Sequence, residues 1–305
     1  MDKEDLEKAV RHCYSTWGSR YYADYYQNKS AYPPVHTAII RNLLQQQHAT
    51  SVLDAGCGPA SMLRDLDLPG LQRFGFDLTP EMLVEAQRVL GLQGVPANHV
   101  WKGSVLDAAA FQAPQGNPGG GFDAAICFGV LPHIPTESDV TVLSHLASAV
   151  RPGGIMACEA RNELFSLFTL NRYSRDLFRS QLIREDELKA RTIDPAERAA
   201  LDAALAELDQ RFRMDLPPLR KGYEDEPGYD EVLSRTHNPF VLKEAAQQAG
   251  WADVAVLFYH YHAIPPMLER LVPGLFLRES LAIEDPTDWR GHFMASAFIV
   301  TGRKP

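Results

Sequence analysis

Between residues 50 and 160 the apolar positions alternate between two kinds of run. Short runs, "SVLDA", "QRFGFD", "HVWKG", "FDAAICFG" and "GGIMACEA", read as strands. The segments between them, clearest in "PEMLVEAQRVL" and "ESDVTVLSHLASAV", read as helices. The first strand is almost wholly apolar, as a central strand covered on both faces must be. Two further strands, "DVAVLFYHYH" and "MASAFIVTG", follow near the end of the chain. The pattern predicts an α/β fold built on a doubly wound, mainly parallel, seven-stranded sheet.

The first fifty residues read as helical. In "PPVHTAIIRNLLQQQ", Pro33 and Pro34 stand where a helix can begin, and Ile39, Ile40, Leu43 and Leu44 form its apolar face. After Glu159 the alternation stops for about eighty residues, a length unusual for a connection. Two helical stretches, "ELFSLFTLNRYSRDLF" and "DPAERAALDAALAELDQRF", are followed there by the polar segment "PPLRKGYEDEPGYDE". An insertion leaving the carboxyl end of a strand is expected over the rim where such sheets bind ligands. The organisation expected is a helical cap (1–50), a ligand-binding core (51–160), a helical lid that binds the acceptor (161–238) and the closing part of the sheet (239–305).

Composition narrows the function classes. A hydrophobic share of 45% with 23% charged residues is that of a globular chain, and no apolar run reaches the ~20 residues of a membrane span. The opening "MDKEDLEKAV" is too charged for a secretory signal, so a cytoplasmic location is expected. A net charge of −9 argues against nucleic acid and leaves a small molecule as the expected partner, with a homodimer open. Cys13, Cys57, Cys127 and Cys158 are scattered, which predicts neither a disulfide framework nor a zinc site.

The candidate chemistry begins at "SVLDAGCGPASM", a strand that breaks into a glycine loop and then a helix. Loops that cradle a pyrophosphate offer backbone N–H groups to negative charge. Here Asp54 ends the strand, and its carboxylate repels phosphate while welcoming an ammonium. Ser61 also occupies the third glycine place of the dinucleotide pattern. The better ligand is one with a cationic amino-acid end, an adenosine and no phosphate, a description that S-adenosylmethionine meets.

On four ordered motifs the chain resembles the class I S-adenosylmethionine-dependent methyltransferases. "VLDAGCGPA" is similar to their first motif, and "FGFDLTPEML" to their second strand, which ends in an acid for the ribose hydroxyls. "FDAAICFGVLPHIP" is similar to their fourth strand and turn, and "VRPGG" to the turn into their fifth. The resemblance covers residues 52–159 and, more loosely, "NPFVLKEAAQQAGW" and the last strand. It implies a Rossmann-like methyltransferase fold, with S-adenosylmethionine as co-substrate and no metal. It further implies a cofactor site at Asp54, Gly56, Gly58, Asp77, Leu78, Met82, Ser104, Val105, Cys127 and Phe128. Three positions depart from the family. Ala60 replaces a glycine, Pro132 replaces a histidine, and Ser104 stands where an acid commonly meets the adenine amino group.

Methyl transfer asks for alignment and, for a hydroxyl or protonated amine, a general base. His133, just after the fourth strand, is the candidate base. Glu159 and Arg161, ending the fifth strand, are candidates to orient the acceptor, as are His260 and His262 in "FYHYHAIPP". By the period of two, His260 and His262 share one side of their strand and Tyr259 and Tyr261 the other. Tyr22 or Tyr25 is the N-terminal aromatic expected to face the pocket. The activity expected is methyl transfer to oxygen or nitrogen of a small molecule, with a specialised metabolite or sugar as candidate. Other uses of the sulfonium, releasing methylthioadenosine, and a non-catalytic binding subunit are the alternatives.

Overall fold

The structure is a computed structural model that describes residues 3–22, 32–217 and 232–305. Helix α1 (Lys3–Tyr22) and helix α2 (Val35–Gln46) come first. Strand β1 (Ser51–Ala55), helix α3 (Ser61–Asp65), strand β2 (Gln72–Asp77), helix α4 (Pro80–Gly91) and strand β3 (Val100–Lys102) follow. Strand β4 (Phe122–Cys127), helix α5 (Asp139–Ala149) and strand β5 (Val150–Arg161) complete the alternating part. Helices α6 (Ser166–Thr169), α7 (Arg172–Leu177), α8 (Glu185–Arg191) and α9 (Pro195–Asp209) make the insertion. The chain closes with α10 (Pro239–Gln248), β6 (Ala252–Tyr261), α11 (Pro273–Ala282), α12 (Gly291–Met294) and β7 (Ala295–Arg303).

The seven strands form one sheet in the order β3-β2-β1-β4-β5-β7-β6, with β7 antiparallel to both neighbours. Every residue of β1 and β4 is buried, because helices cover both faces. On one face Leu53 and Ala125 pack with Val142, Leu143 and Leu146 of α5 and Leu242 of α10. On the other Val52 and Ile126 pack with Ile40 and Leu44 of α2, Leu63 of α3 and Leu90 of α4. Each of the valine, leucine and isoleucine side chains contributes about 1.5–3 kcal/mol when removed from water.

Two local expectations are corrected. The stretch "ELFSLFTLNRYSRDLF" is not one helix, because Leu170 turns left-handed and Asn171 starts α7 afresh. Asn171 Oδ1 accepts from Tyr173 N at 3.0 Å, and Asn171 N donates to Ser174 Oγ at 3.2 Å, a reciprocal cap that outcompetes continuation. In β6 the alternation fails at His260, whose φ of +62° reverses the local facing. Tyr259 therefore packs with α2 on one face of the sheet and Tyr261 with the opposite core.

Candidate active site

Parallel strands bring their carboxyl ends to one edge, and the chain opens a cavity there between the turns that follow β1, β2, β3 and β4. Asp54, Gly56, Cys57 and Gly58 line it from the β1 loop, and Asp77, Leu78 and Thr79 from the turn after β2. Gly103, Ser104 and Val105 follow β3 along the wall, and Phe128, Gly129 and His133 follow β4. The loop needs its glycines. Gly56 has φ +81°, and a Cβ there would lie 2.4 Å from Val130 Cγ2. Ala60 adopts φ +60° without being glycine, at a cost of about 1–2 kcal/mol.

Asp77 holds the loop closed. Its Oδ2 accepts from Gly58 N at 2.9 Å and its Oδ1 from Thr79 N at 2.8 Å. Burial raises its pKa despite those hydrogen bonds. Asp54 differs. It is 2% exposed, and its Oδ1 is buried with no hydrogen-bond partner among the described residues. Burial, then the nearby charge of Asp77, push its pKa up to about 8. Ser61 Oγ in the same wall is likewise buried and unpaired. Such groups are costly unless a ligand satisfies them.

His133 is 5% exposed, and burial and the charge of Arg161 drive its pKa down to about 4, against the raising effect of its bond to Leu233. Its Nδ1 lies 2.7 Å from the Leu233 carbonyl, which only accepts, so the proton sits on Nδ1. Nε2 is then the acceptor for the Tyr14 hydroxyl, at 2.9 Å.

Of the cofactor residues expected from sequence, all but Cys127 line the cavity. Cys127 is wholly buried, because a strand alternates its side chains: Phe128 faces the cavity and Cys127 the core, against Cys158 on β5. The catalytic expectations fare less well. Among those whose side chains are described, only His133 lines the cavity. Glu159 sits behind it as a brace, accepting from Gly129 N at 2.7 Å and from the Tyr259 hydroxyl at 3.2 Å. Arg161 donates to Ser234 Oγ and ties β5 to the end of the insertion.

His260 and His262 stack on each other, centroids 5.2 Å apart, and on Tyr32 and Phe165 rather than converging on a ligand point. The side chain of Tyr22 and the whole of Tyr25 lie outside the described residues. No described residue from 163 to 217 lines the cavity, so the expected lid does not form its wall there. That wall is α1, through Leu6, Glu7, Val10 and Tyr14, with His36 of α2. Sequence reasoning missed these five. Leu6, Val10 and Cys13 form an apolar stripe that signals a docked helix, but nothing local says what it docks on.

The sheet order and a carboxylate-lined cavity at the ends of β1 and β2 define a doubly wound α/β domain with its ligand-binding crevice at the carboxyl edge. Residues 53–156 match the family model described as a methyltransferase domain. The ubiquinone biosynthesis O-methyltransferase of Xanthomonas axonopodis pv. citri (strain 306) is 32% identical over 150 residues, covering 49% of this chain and 59% of that protein. The enzyme of the same name from Albidiferax ferrireducens is 29% identical over 174 residues, 56% of this chain and 66% of that one. The chain thus spans 59% to 66% of the length of these curated relatives. Among solved structures, the magnesium protoporphyrin IX methyltransferase of Synechocystis PCC 6803 with bound SAH has a TM-score of 0.51 at 14% identity, over 98% of this chain and 100% of that one. The DhpI–SAH complex has a TM-score of 0.52 at 15% identity, over 99% and 98%. At such identities the likeness is one of fold.

Over residues 53–156 the chain is thus similar to a methyltransferase domain, and its sheet has the Rossmann-like fold of class I S-adenosylmethionine-dependent methyltransferases. The residues present fit S-adenosylmethionine: Asp54 Oδ1 lacks a donor among the described residues that an ammonium would supply, and Asp77, which can only accept when ionised, lines the cavity beside it. Among the described residues no helix is long and apolar enough to cross a membrane.

Proposed function

We propose that the protein transfers a methyl group from S-adenosylmethionine to a hydroxyl oxygen of a small-molecule acceptor, releasing S-adenosylhomocysteine. The observation that carries this reading is the neutral imidazole of His133 in the cavity wall, its Nε2 lone pair turned to Tyr14. The bound cofactor supplies an electrophilic sulfonium methyl. Asp54 would hold its ammonium and Asp77 its ribose, beside the glycine loop that follows β1.

The acceptor hydroxyl would give its proton to the Tyr14 oxygen as Tyr14 passes its own proton to His133 Nε2. The acceptor oxygen would then bond the methyl carbon as the sulfur–carbon bond breaks, with the electron pair left on sulfur. The printed names of the relatives, all O-methyltransferases, favour oxygen over nitrogen.

The test follows the spent cofactor by mass spectrometry with a panel of phenols, alcohols and sugars. S-Adenosylhomocysteine is expected as the product. The His133→Gln variant should lose about a hundredfold in kcat at unchanged affinity for S-adenosylhomocysteine. Methylthioadenosine as the main product, or full turnover by the variant, would overturn the reading.

A further inference from the structure

We propose that Glu7, on the N-terminal helix, reads the amino edge of the cofactor's adenine and so makes α1 part of the cofactor site. The proposal rests on the cofactor assignment above. Strand order fixes the direction of the ligand. Asp54 ends β1, Asp77 ends the neighbouring β2, and Ser104 follows β3, the next strand outward. Neighbouring strands lie about 4.8 Å apart, so the β3 turn is about 10 Å from Asp54. A ligand with its ammonium at Asp54 and its ribose at Asp77 extends its base towards that turn.

That end of the cavity suits a flat apolar ring with one polar edge. Leu78, Met82 and Val105 line it from the core, and Leu6 and Val10 from α1. A polar pair stands among them: Ser104 Oγ donates to Glu7 Oε1 at 2.6 Å. Ser104 has no further proton to give, and its oxygen already accepts from Leu106 N at 3.1 Å. It positions Glu7. The Glu7 carboxylate keeps lone pairs beyond the one Ser104 uses, and it can only accept. A pure acceptor selects a purine bearing an exocyclic amine and repels one bearing a carbonyl oxygen there.

The placement links base recognition to the transfer end. Tyr14 lies seven residues beyond Glu7 on the same helix, about 10 Å along its axis, and bonds His133. One helix thus touches both ends of the cavity.

The experiment titrates the full chain, and its Glu7→Gln and Ser104→Ala variants, with S-adenosylhomocysteine and with its 6-oxo analogue, S-inosylhomocysteine. The wild type should prefer the amino compound by about tenfold or more, the weight of one hydrogen bond to a charged group. Glu7→Gln, which can also donate, should lose about tenfold for the amino compound while the preference collapses. Ser104→Ala should weaken both compounds less and keep the preference. If Glu7→Gln keeps the wild-type preference, or weakens both compounds equally, Glu7 does not read the base and the proposal fails. If the wild type binds neither compound, the cofactor assignment falls and this inference with it.

Discussion

Asp123, at the start of β4, and Asp54, at the end of β1, occupy neighbouring strands at opposite edges of one sheet. They are similarly buried, at 7% and 2% exposure. At the amino edge Asp123 is saturated. Its Oδ2 accepts from Thr50 N at 2.6 Å, Thr50 Oγ1 at 2.7 Å and Ser51 N at 3.1 Å, and its Oδ1 pairs with Arg151. Burial alone would raise its pKa, but the Thr50 hydrogen bonds and the Arg151 charge outweigh it, and the pKa falls.

At the carboxyl edge Asp54 keeps an oxygen with no partner among the described residues, and burial with the nearby charge of Asp77 pushes its pKa up to about 8. The difference separates two uses of one residue type. Asp123 locks the strands together, whereas Asp54 keeps a buried oxygen with no partner among the described residues. Parallel strands gather their loops at one edge, so stability and binding are divided along the strand direction.

Removing the carboxylate at each edge sharpens that division. Asp54→Ala should weaken S-adenosylhomocysteine binding by on the order of a thousandfold, measured by calorimetry, because the ligand ammonium would be buried unpaired. The same substitution should leave the thermal midpoint of the ligand-free protein unchanged or higher, since a strained carboxyl is gone. Asp123→Ala should do the reverse. Stability in urea should fall by about 3 kcal/mol, with affinity per folded molecule intact. A large loss of affinity there would break the comparison.

The smallest effect belongs to the loop between the edges. Ala60→Gly relieves a left-handed alanine but adds freedom to the unfolded chain, so stability should move by less than about 1 kcal/mol. A larger loss would mean that the buried Ala60 methyl matters more than its backbone.

Much of the cavity edge was legible because it is local in sequence. Asp54, Gly56, Gly58 and Asp77 each sit where a strand ends, and an apolar run followed by a polar loop marks such an end. The seven strands were legible for the same reason. Cys127 was misassigned by one step of the strand period, the smallest error that moves a side chain from cavity to core. Glu7, Tyr14 and His36 were not legible, since they reach the cavity only through the docking of α1 and α2, and periodicity names a buried face without naming its partner. The Tyr259 and Tyr261 error has another cause. A single left-handed residue, His260, breaks a rule that assumes uniform strand geometry.

Asp54 combines a buried oxygen that has no partner among the described residues with a raised pKa, a combination suited to a cationic ligand. The sign of its pH dependence follows from the raised pKa. The folded, ligand-free carboxyl holds its proton to about pH 8, while the unfolded chain loses it near 4. This group therefore costs the ligand-free protein stability as pH rises through that window, and ligand binding gains as the carboxyl ionises. The direct measurement is a calorimetric titration of S-adenosylhomocysteine from about pH 6 to about pH 9, on the wild type and Asp54→Asn. Affinity in the wild type should climb towards pH 8 and release a proton on binding, while the variant binds weakly and without that slope. Equal, flat affinities in the two proteins would contradict the account.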